Sequence, residues 1–208
     1  MRAASATEVR LWIAAACCFA AFALLGAAVA GRTPTRIDVE ATALRGEFVP
    51  LALFFAALGR WWVVLPVGLA AAAVAVATRA NALAPLTLLA SQGASQAVVN
   101  VAKNAFGRPR PDDWLAYREA GLSYPSGHAA TTVVFYVGLA LLALRAPALP
   151  RAVAPAVVAA TAVCVIGIPW SRLALGAHYA TDVAGGLLFG AGWSCAAVAL
   201  LFRLGALA

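Results

Sequence analysis

The chain has 208 residues, 64% of them hydrophobic and only 11% charged, against roughly 25% charged in an ordinary soluble domain. So few charges cannot coat a soluble globule, and so apolar a chain cannot be disordered. The net charge of +7 would suggest nucleic acid in a soluble protein; in a membrane domain it fits cytoplasmic loop anchors, anionic headgroups or a phosphate site.

The first apolar run covers 11–30, carries no charge, and is preceded by Arg2 and Arg10. Its length exceeds the ~7–15 residues of a secretory signal core. Although Ala28-Val29-Ala30 has the small residues of a cleavage site, the run is predicted to be an uncleaved first span. Arg32, Arg36, Asp38, Glu40, Arg45 and Glu47 then read as a solvated loop. The apolar segment 48–58 falls short of the ~20 residues of a span, and suits an interfacial or re-entrant helix. Arg60-Trp61-Trp62 follows as an interface anchor, since Trp favours the headgroup level.

Further spans are predicted at 62–78, 82–102, 127–144, 152–168 and 183–202. Two polar loops separate them at 103–125 and 169–182. The whole is an all-α, six-helix membrane bundle in one domain over 1–208, without linker or repeat. Gly185, Gly186, Gly190 and Gly192 are expected to let the last helix approach its neighbours closely. Cys17, Cys18, Cys164 and Cys195 lie in apolar runs and read as small buried hydrophobes, with no metal-ligand spacing.

With the N-terminus inside, the inner face holds Arg2, Arg10, Arg79, Arg145, Arg151 and Arg203 against Glu8. The outer face then holds nine bases and seven acids. A raw Lys/Arg count opposes this orientation, but the inner connections are short and basic, so N-inside is expected. In either orientation the loops at 103–125 and 169–182 share one face.

Those two loops concentrate the unusual chemistry. Ser126 in Pro125-Ser126-Gly127-His128 stands where a helix should begin and suits an N-cap. The free N–H groups of such a helix start bind phosphate oxygens. His178 and Asp182 are four apart and would share a face if the last helix began at or before His178. A carboxylate beside an imidazole fixes its tautomer and stabilises its charged form; an interfacial hydrogen bond explains the pair equally well. Any one of Lys103, Arg108, Arg110 and Arg172 reads as a headgroup anchor, but together they can surround a phosphoryl group. His128 and His178 are the only histidines, and both fall here. Gln92, Gln96, Asn100 and Lys103 form one polar stripe on the third span. Interhelical bonding is the preferred role for Gln92 and Gln96, with Asn100 coming close to the site.

Lys103, six residues, then Arg110-Pro111 resembles the first motif of the type 2 phosphatidic acid phosphatase superfamily. Pro125-Ser126-Gly127-His128 is similar to its second, and Ser171-Arg172, five residues, His178, three residues, Asp182 to its third. All three are in order and without departure. The resemblance implies that His178 attacks phosphorus to form a phosphohistidine, that Asp182 holds it, and that His128 protonates the leaving oxygen. It implies that Lys103, Arg110 and Arg172, with Ser126 and the Gly127 backbone, bind the phosphate, and that water then releases it. Arg108 lies outside the motif; it and Asn100 are expected substrate contacts. No metal and no cofactor are implied, and adjacent Asp112 and Asp113 read as loop solvation.

The expected protein is a membrane lipid phosphatase whose partners are the bilayer and a lipid phosphate, with no nucleic acid. Candidate substrates are an isoprenoid diphosphate such as an undecaprenyl carrier, phosphatidic acid or phosphatidylglycerol phosphate. The expected location is a bacterial inner membrane, with the site facing the periplasmic or extracellular side. Vanadium haloperoxidases resemble the same motifs but are soluble. A transporter would place its polar groups near the midplane, and a non-catalytic lipid-binding protein has no need of the His178–Asp182 pair.

Overall fold

The computed structural model describes residues 4–32, 34–112, 115 and 119–204; Arg2 and Asp113 lie outside them. The described residues are helical, with no strand. In order they are α1 (Ala6–Val29), α2 (Arg36–Glu40), a 3-10 turn (Ala41–Leu44), α3 (Val49–Leu58), α4 (Trp61–Ala77) and α5 (Leu83–Phe106). Then come α6 (Gly127–Thr131), a π-helical segment (Thr132–Val137), α7 (Gly138–Leu144), α8 (Val153–Ala174) and α9 (Ala180–Arg203).

Among the described residues, four helices are long and apolar enough to cross a membrane: Ala6–Val29, Gly127–Leu144, Val153–Ala174 and Ala180–Arg203. Arg36–Leu44 and Val49–Leu58 form a fifth candidate, bent by 114°. Helix α4 has only 17 residues. Helix α5 has 24, about 36 Å at 1.5 Å per residue, but its polar stripe makes it the least apolar long helix.

Helix α1 packs along α9. Ser5 caps α1, accepting from the Glu8 N–H at 3.1 Å. The buried Glu8 carboxylate lies 3.6 Å from Arg203 at the far end of α9. The two helices are therefore antiparallel, with the start of α1 and the end of α9 on one side. Helix α3 packs on α8 through Ala52, Ala56, Ala174, Leu175 and Ala177. These small side chains let the two backbones come close.

Two expected boundaries move, and one residue expected in water is buried. Helix α1 starts earlier because Ser5 caps it. Helix α8 runs six residues past the predicted end at 168 and takes in Pro169, Ser171 and Arg172, all buried. Packing against α3 outweighs the helix-breaking tendency of Pro169. Asp38, expected in a solvated loop, is 2% exposed inside the molecule. It sits in a capping box on α2, accepting from the Thr35 N–H at 2.9 Å.

The start of α6 lies directly on α9. A Cβ added to Gly186 would collide with the Ser126 carbonyl oxygen and stand 2.9 Å from the Ala129 Cβ. The obstacle is backbone, which cannot swing aside. Gly186→Ala is therefore expected to destabilise the protein by about 1–3 kcal/mol, lowering the unfolding temperature of detergent-purified protein by about 2–4 °C per kcal/mol.

Candidate active site

Helix α8 ends at Ala174, and Gly176 just beyond its cap has a φ of +65°, left-handed backbone that glycine adopts without Cβ strain. The chain folds back there, so that the Ala177 and His178 N–H groups both donate to the Arg172 carbonyl, at 2.9 and 3.2 Å. His178 is thus fixed two residues before α9 starts, rather than on it. Asp182, in the first turn of α9, reaches back. Its Oδ2 accepts from the Tyr179 N–H at 2.9 Å and lies 3.4 Å from His178 Nδ1. The Ser123 hydroxyl also donates to Oδ2.

The other ring nitrogen has a different neighbour. Arg110 Nη1 stands 3.1 Å from His178 Nε2. A guanidinium only donates, so Nε2 accepts and the proton of the neutral ring sits on Nδ1, toward Asp182 and Ser123. Burial, then the charges of Arg110, Lys103 and Arg172, hold the imidazole well below its ordinary pKa of 6.5. A neutral ring with its Nε2 lone pair turned away from the carboxylate is the form a nucleophile requires. His128 Nε2 lies 3.2 Å from the Ala56 carbonyl oxygen, an acceptor, so this nitrogen carries a proton.

The cations gather around one carboxylate. Arg172 Nη2 donates to Glu119 Oε1 at 2.7 Å. Arg60 Nη2 lies 3.3 Å from the same oxygen, and Arg110 Nη1 lies 3.4 Å from Oε2. Burial pushes the Glu119 pKa up, but Arg172, Arg110 and Arg60 together bring it below the ordinary value. Lys103 donates to the carbonyls of Leu122 and Ser123, at 2.7 and 3.2 Å. It ties the loop before α6 to the end of α5.

Of these groups Arg60, Lys103, Arg110, Glu119, His128 and His178 line a cavity of about 630 Å³, while Arg172 and Asp182 are buried behind them. One wall is Gly59, Arg60, Trp61, Trp62, Val64 and Leu65; the other is the α5 face from Leu89 to Lys103, including Gln92, Gln96 and Asn100. Arg110, Glu119, Gly127, His128 and His178 lie at its polar end. Gln92 donates to Thr131 Oγ1 at 2.8 Å and Gln96 to the Gly127 carbonyl at 3.3 Å. They bond between helices as expected while lining the cavity. Among the described residues no group of three His, Cys, Asp or Glu side chains is disposed to hold a metal.

A family profile for the PAP2 superfamily matches residues 84–206, a stretch that contains every one of these catalytic candidates. The chain belongs to the PAP2 superfamily. It is 33% identical over 120 residues to a lipid A 1-phosphatase of Rhizobium johnstonii, an alignment covering 53% of this chain and 45% of that protein. Against a lipid A 1-phosphatase of Rhizobium etli it is 34% identical over 115 residues, covering 50% of this chain and 44% of the relative. The match thus spans about half the length of these curated relatives. The fold is similar to that of a transmembrane PAP2-type phosphatidylglycerolphosphate phosphatase from Bacillus subtilis. That likeness has a TM-score of 0.76 and 23% identity, over 92% of this chain and 96% of the other.

Within this PAP2 chain, His128, His178, Asp182, Lys103, Arg110 and Arg172 come together, and Asn100 lines the cavity. Ser126 has its hydroxyl turned to the α6 N-cap, accepting from the Ala129 N–H at 3.4 Å, and is fully buried. Arg108 does not reach the cavity. It is fully buried, donating to Asp182 Oδ1 at 2.6 Å, Thr181 Oγ1 at 2.6 Å and Asp38 Oδ2 at 2.7 Å. Its guanidinium lies 4.3 Å from the centre of the Tyr179 ring. The expected substrate contact is instead an internal counter-ion that orients Asp182. Sequence reasoning missed Ser123, Glu119 and Asp38. Nothing local marks Ser123 or Glu119, and the capping box of Asp38 with Thr35 gives no sign of its bonds to Arg108 and Thr181, far away along the chain.

Proposed function

We propose that this protein is an integral membrane lipid phosphatase that hydrolyses a lipid phosphomonoester or diphosphate through a phosphohistidine on His178, without a metal. The observation that carries the reading is the placement of the His178 ring, with Asp182 behind Nδ1 and Arg110 beside Nε2, facing one cavity with His128.

His178 Nε2 attacks phosphorus and forms a P–N bond while the P–O bond to the leaving group breaks. The Nδ1 proton stays toward Asp182, which stabilises the developing positive charge on the ring. His128, acting as an imidazolium, gives one of its two protons to the leaving oxygen and is left neutral. Lys103, Arg110, Arg172 and the Gly127 N–H neutralise the charge spread over the phosphoryl oxygens, with the Ser126 hydroxyl shaping the helix start that presents Gly127. Glu119 yields its arginines to the incoming phosphate. Water, losing a proton to His128, then attacks phosphorus and releases orthophosphate and free His178.

The domain spans the whole chain, with six crossings in which α4 and α5 join the four long apolar helices and α3 lies at the interface. The site faces the outer side of a bacterial inner membrane. The relatives named lipid A 1-phosphatase support a lipid phosphate as substrate; phosphatidic acid, phosphatidylglycerol phosphate and isoprenoid diphosphates share that reacting group. Purified protein is expected to release phosphate from at least one member of a panel of lipid mono- and diphosphates. Rapid quenching should capture phosphate on the His178 peptide by mass spectrometry. No release across the panel overturns the phosphatase reading, and turnover with His178 unmodified overturns the covalent route.

A further inference from the structure

We propose that Arg60 is a specificity-determining residue that holds a second anionic group on the leaving-group side of the scissile bond, so that the site takes a lipid diphosphate in preference to the monophosphate of the same lipid. This inference rests on the phosphatase reading above and sharpens it.

Arg60 lies outside all three motif segments, yet its guanidinium reaches the same Glu119 oxygen as Arg172. The shared carboxylate marks where an anion sits among Arg60, Arg110 and Arg172. One phosphoryl group presents three equatorial oxygens, and Lys103, Arg110 and Arg172 already suffice for it. Arg60 is one cation more than a monophosphate requires.

Its position decides which part of the substrate it meets. Arg110 touches His178 Nε2 and so marks the reacting end. Arg60 stands at the start of α4 beside Trp61 and Trp62, where the cavity continues to the apolar Val64, Leu65 and Leu89. A lipid with its terminal phosphorus at His178 and its chain along this apolar wall places its inner phosphate near Arg60.

The side chain is held there. Its guanidinium lies 4.8 Å from the Trp62 ring centre, a cation–π contact, and the side chain as a whole is only 18% exposed. The preceding residue is Gly59, where an added Cβ would collide with the His128 ring. The α3–α4 turn therefore rests on the proton donor, which brings Arg60 to the site.

With a diphosphate, His178 Nε2 bonds to the terminal phosphorus and the bond to the bridging oxygen breaks. The electron pair stays on that oxygen, which leaves as part of the lipid monophosphate and takes the His128 proton. Arg60 offsets the charge of this leaving phosphate. Water then cleaves the P–N bond and releases orthophosphate.

The test measures kcat/KM on the mono- and diphosphate of one polyprenol. Wild type is expected to favour the diphosphate, and Arg60→Gln to reduce that ratio about 10- to 100-fold, the worth of one charge-assisted hydrogen bond. Arg60→Lys should keep part of the preference. A ratio left unchanged by Arg60→Gln, whether both activities fall or neither does, overturns the proposal. So does a wild type that favours the monophosphate. If the variant does not fold, the wild type decides: methylenediphosphonate should inhibit at least 10-fold more tightly than methylphosphonate, and equal inhibition overturns the assignment. A wild type inactive on every lipid phosphate would instead overturn the phosphatase reading itself.

Discussion

His178→Ala is expected to release lipid phosphate more slowly than wild type by on the order of 10⁴-fold or more, while inserting and folding normally. The substitution removes the only ring whose Nε2 lone pair lies beside Arg110 at the polar end of the cavity. The arginines and Lys103 remain, so substrate binding survives and the loss falls on kcat. Size-exclusion behaviour and thermal unfolding in detergent check folding, and phosphate release checks activity. Retained activity would sink the mechanism. A second readout comes from pH. Protonation of His178 consumes the attacking lone pair, so activity falls as pH drops through its pKa. Burial and the charges of Arg110, Lys103 and Arg172 hold that pKa well below 6.5. The acid limb of kcat/KM, corrected for the substrate's own ionisation, is therefore expected below pH 6.5, and a limb above that value would contradict the buried, cation-flanked imidazole.

Arg108→Ala is expected to cost stability rather than substrate affinity, by about 3–5 kcal/mol. Arg108 pairs with Asp38 and Asp182, and all three side chains are fully buried. Its loss leaves two carboxylates away from water with no guanidinium between them, and it is this stranded charge that destabilises. The unfolding temperature should fall by about 2–4 °C per kcal/mol. Adding Asp38→Asn should recover part of the loss by removing one of the stranded charges. A stable Arg108→Ala protein with a raised KM would return Arg108 to the substrate. Because Arg108 also orients Asp182, whatever folded variant survives should be slow at the chemical step.

The polar stretches at 103–125 and 169–182 stood out in the sequence because charge and proline are rare in so apolar a chain, and its two histidines lie just after the first stretch and within the second. That contrast needs no folding to be read. It marked the candidate site, the apolar helix at 127–144 and the Ser126 cap, since hydrophobic runs and helix starts are written in neighbouring residues. The spacing of Ser171, Arg172, His178 and Asp182 likewise survives any error in helix ends.

What the tertiary structure alone decided is which cation does what. Arg60 read as a membrane anchor and Arg108 as a substrate contact, and their positions are exchanged: Arg60 lines the cavity, and Arg108 is sealed behind Asp182. Asp38 looked solvated, and Glu119 and Ser123 carried no signal at all. Local sequence assigns a charge to water by default, because burying one alone is prohibitive. Only the fold brings Asp38 and Asp182 to Arg108 across separations of 70 and 74 residues. Only there does a buried charge become affordable, and only there does an arginine's role separate from its neighbour's.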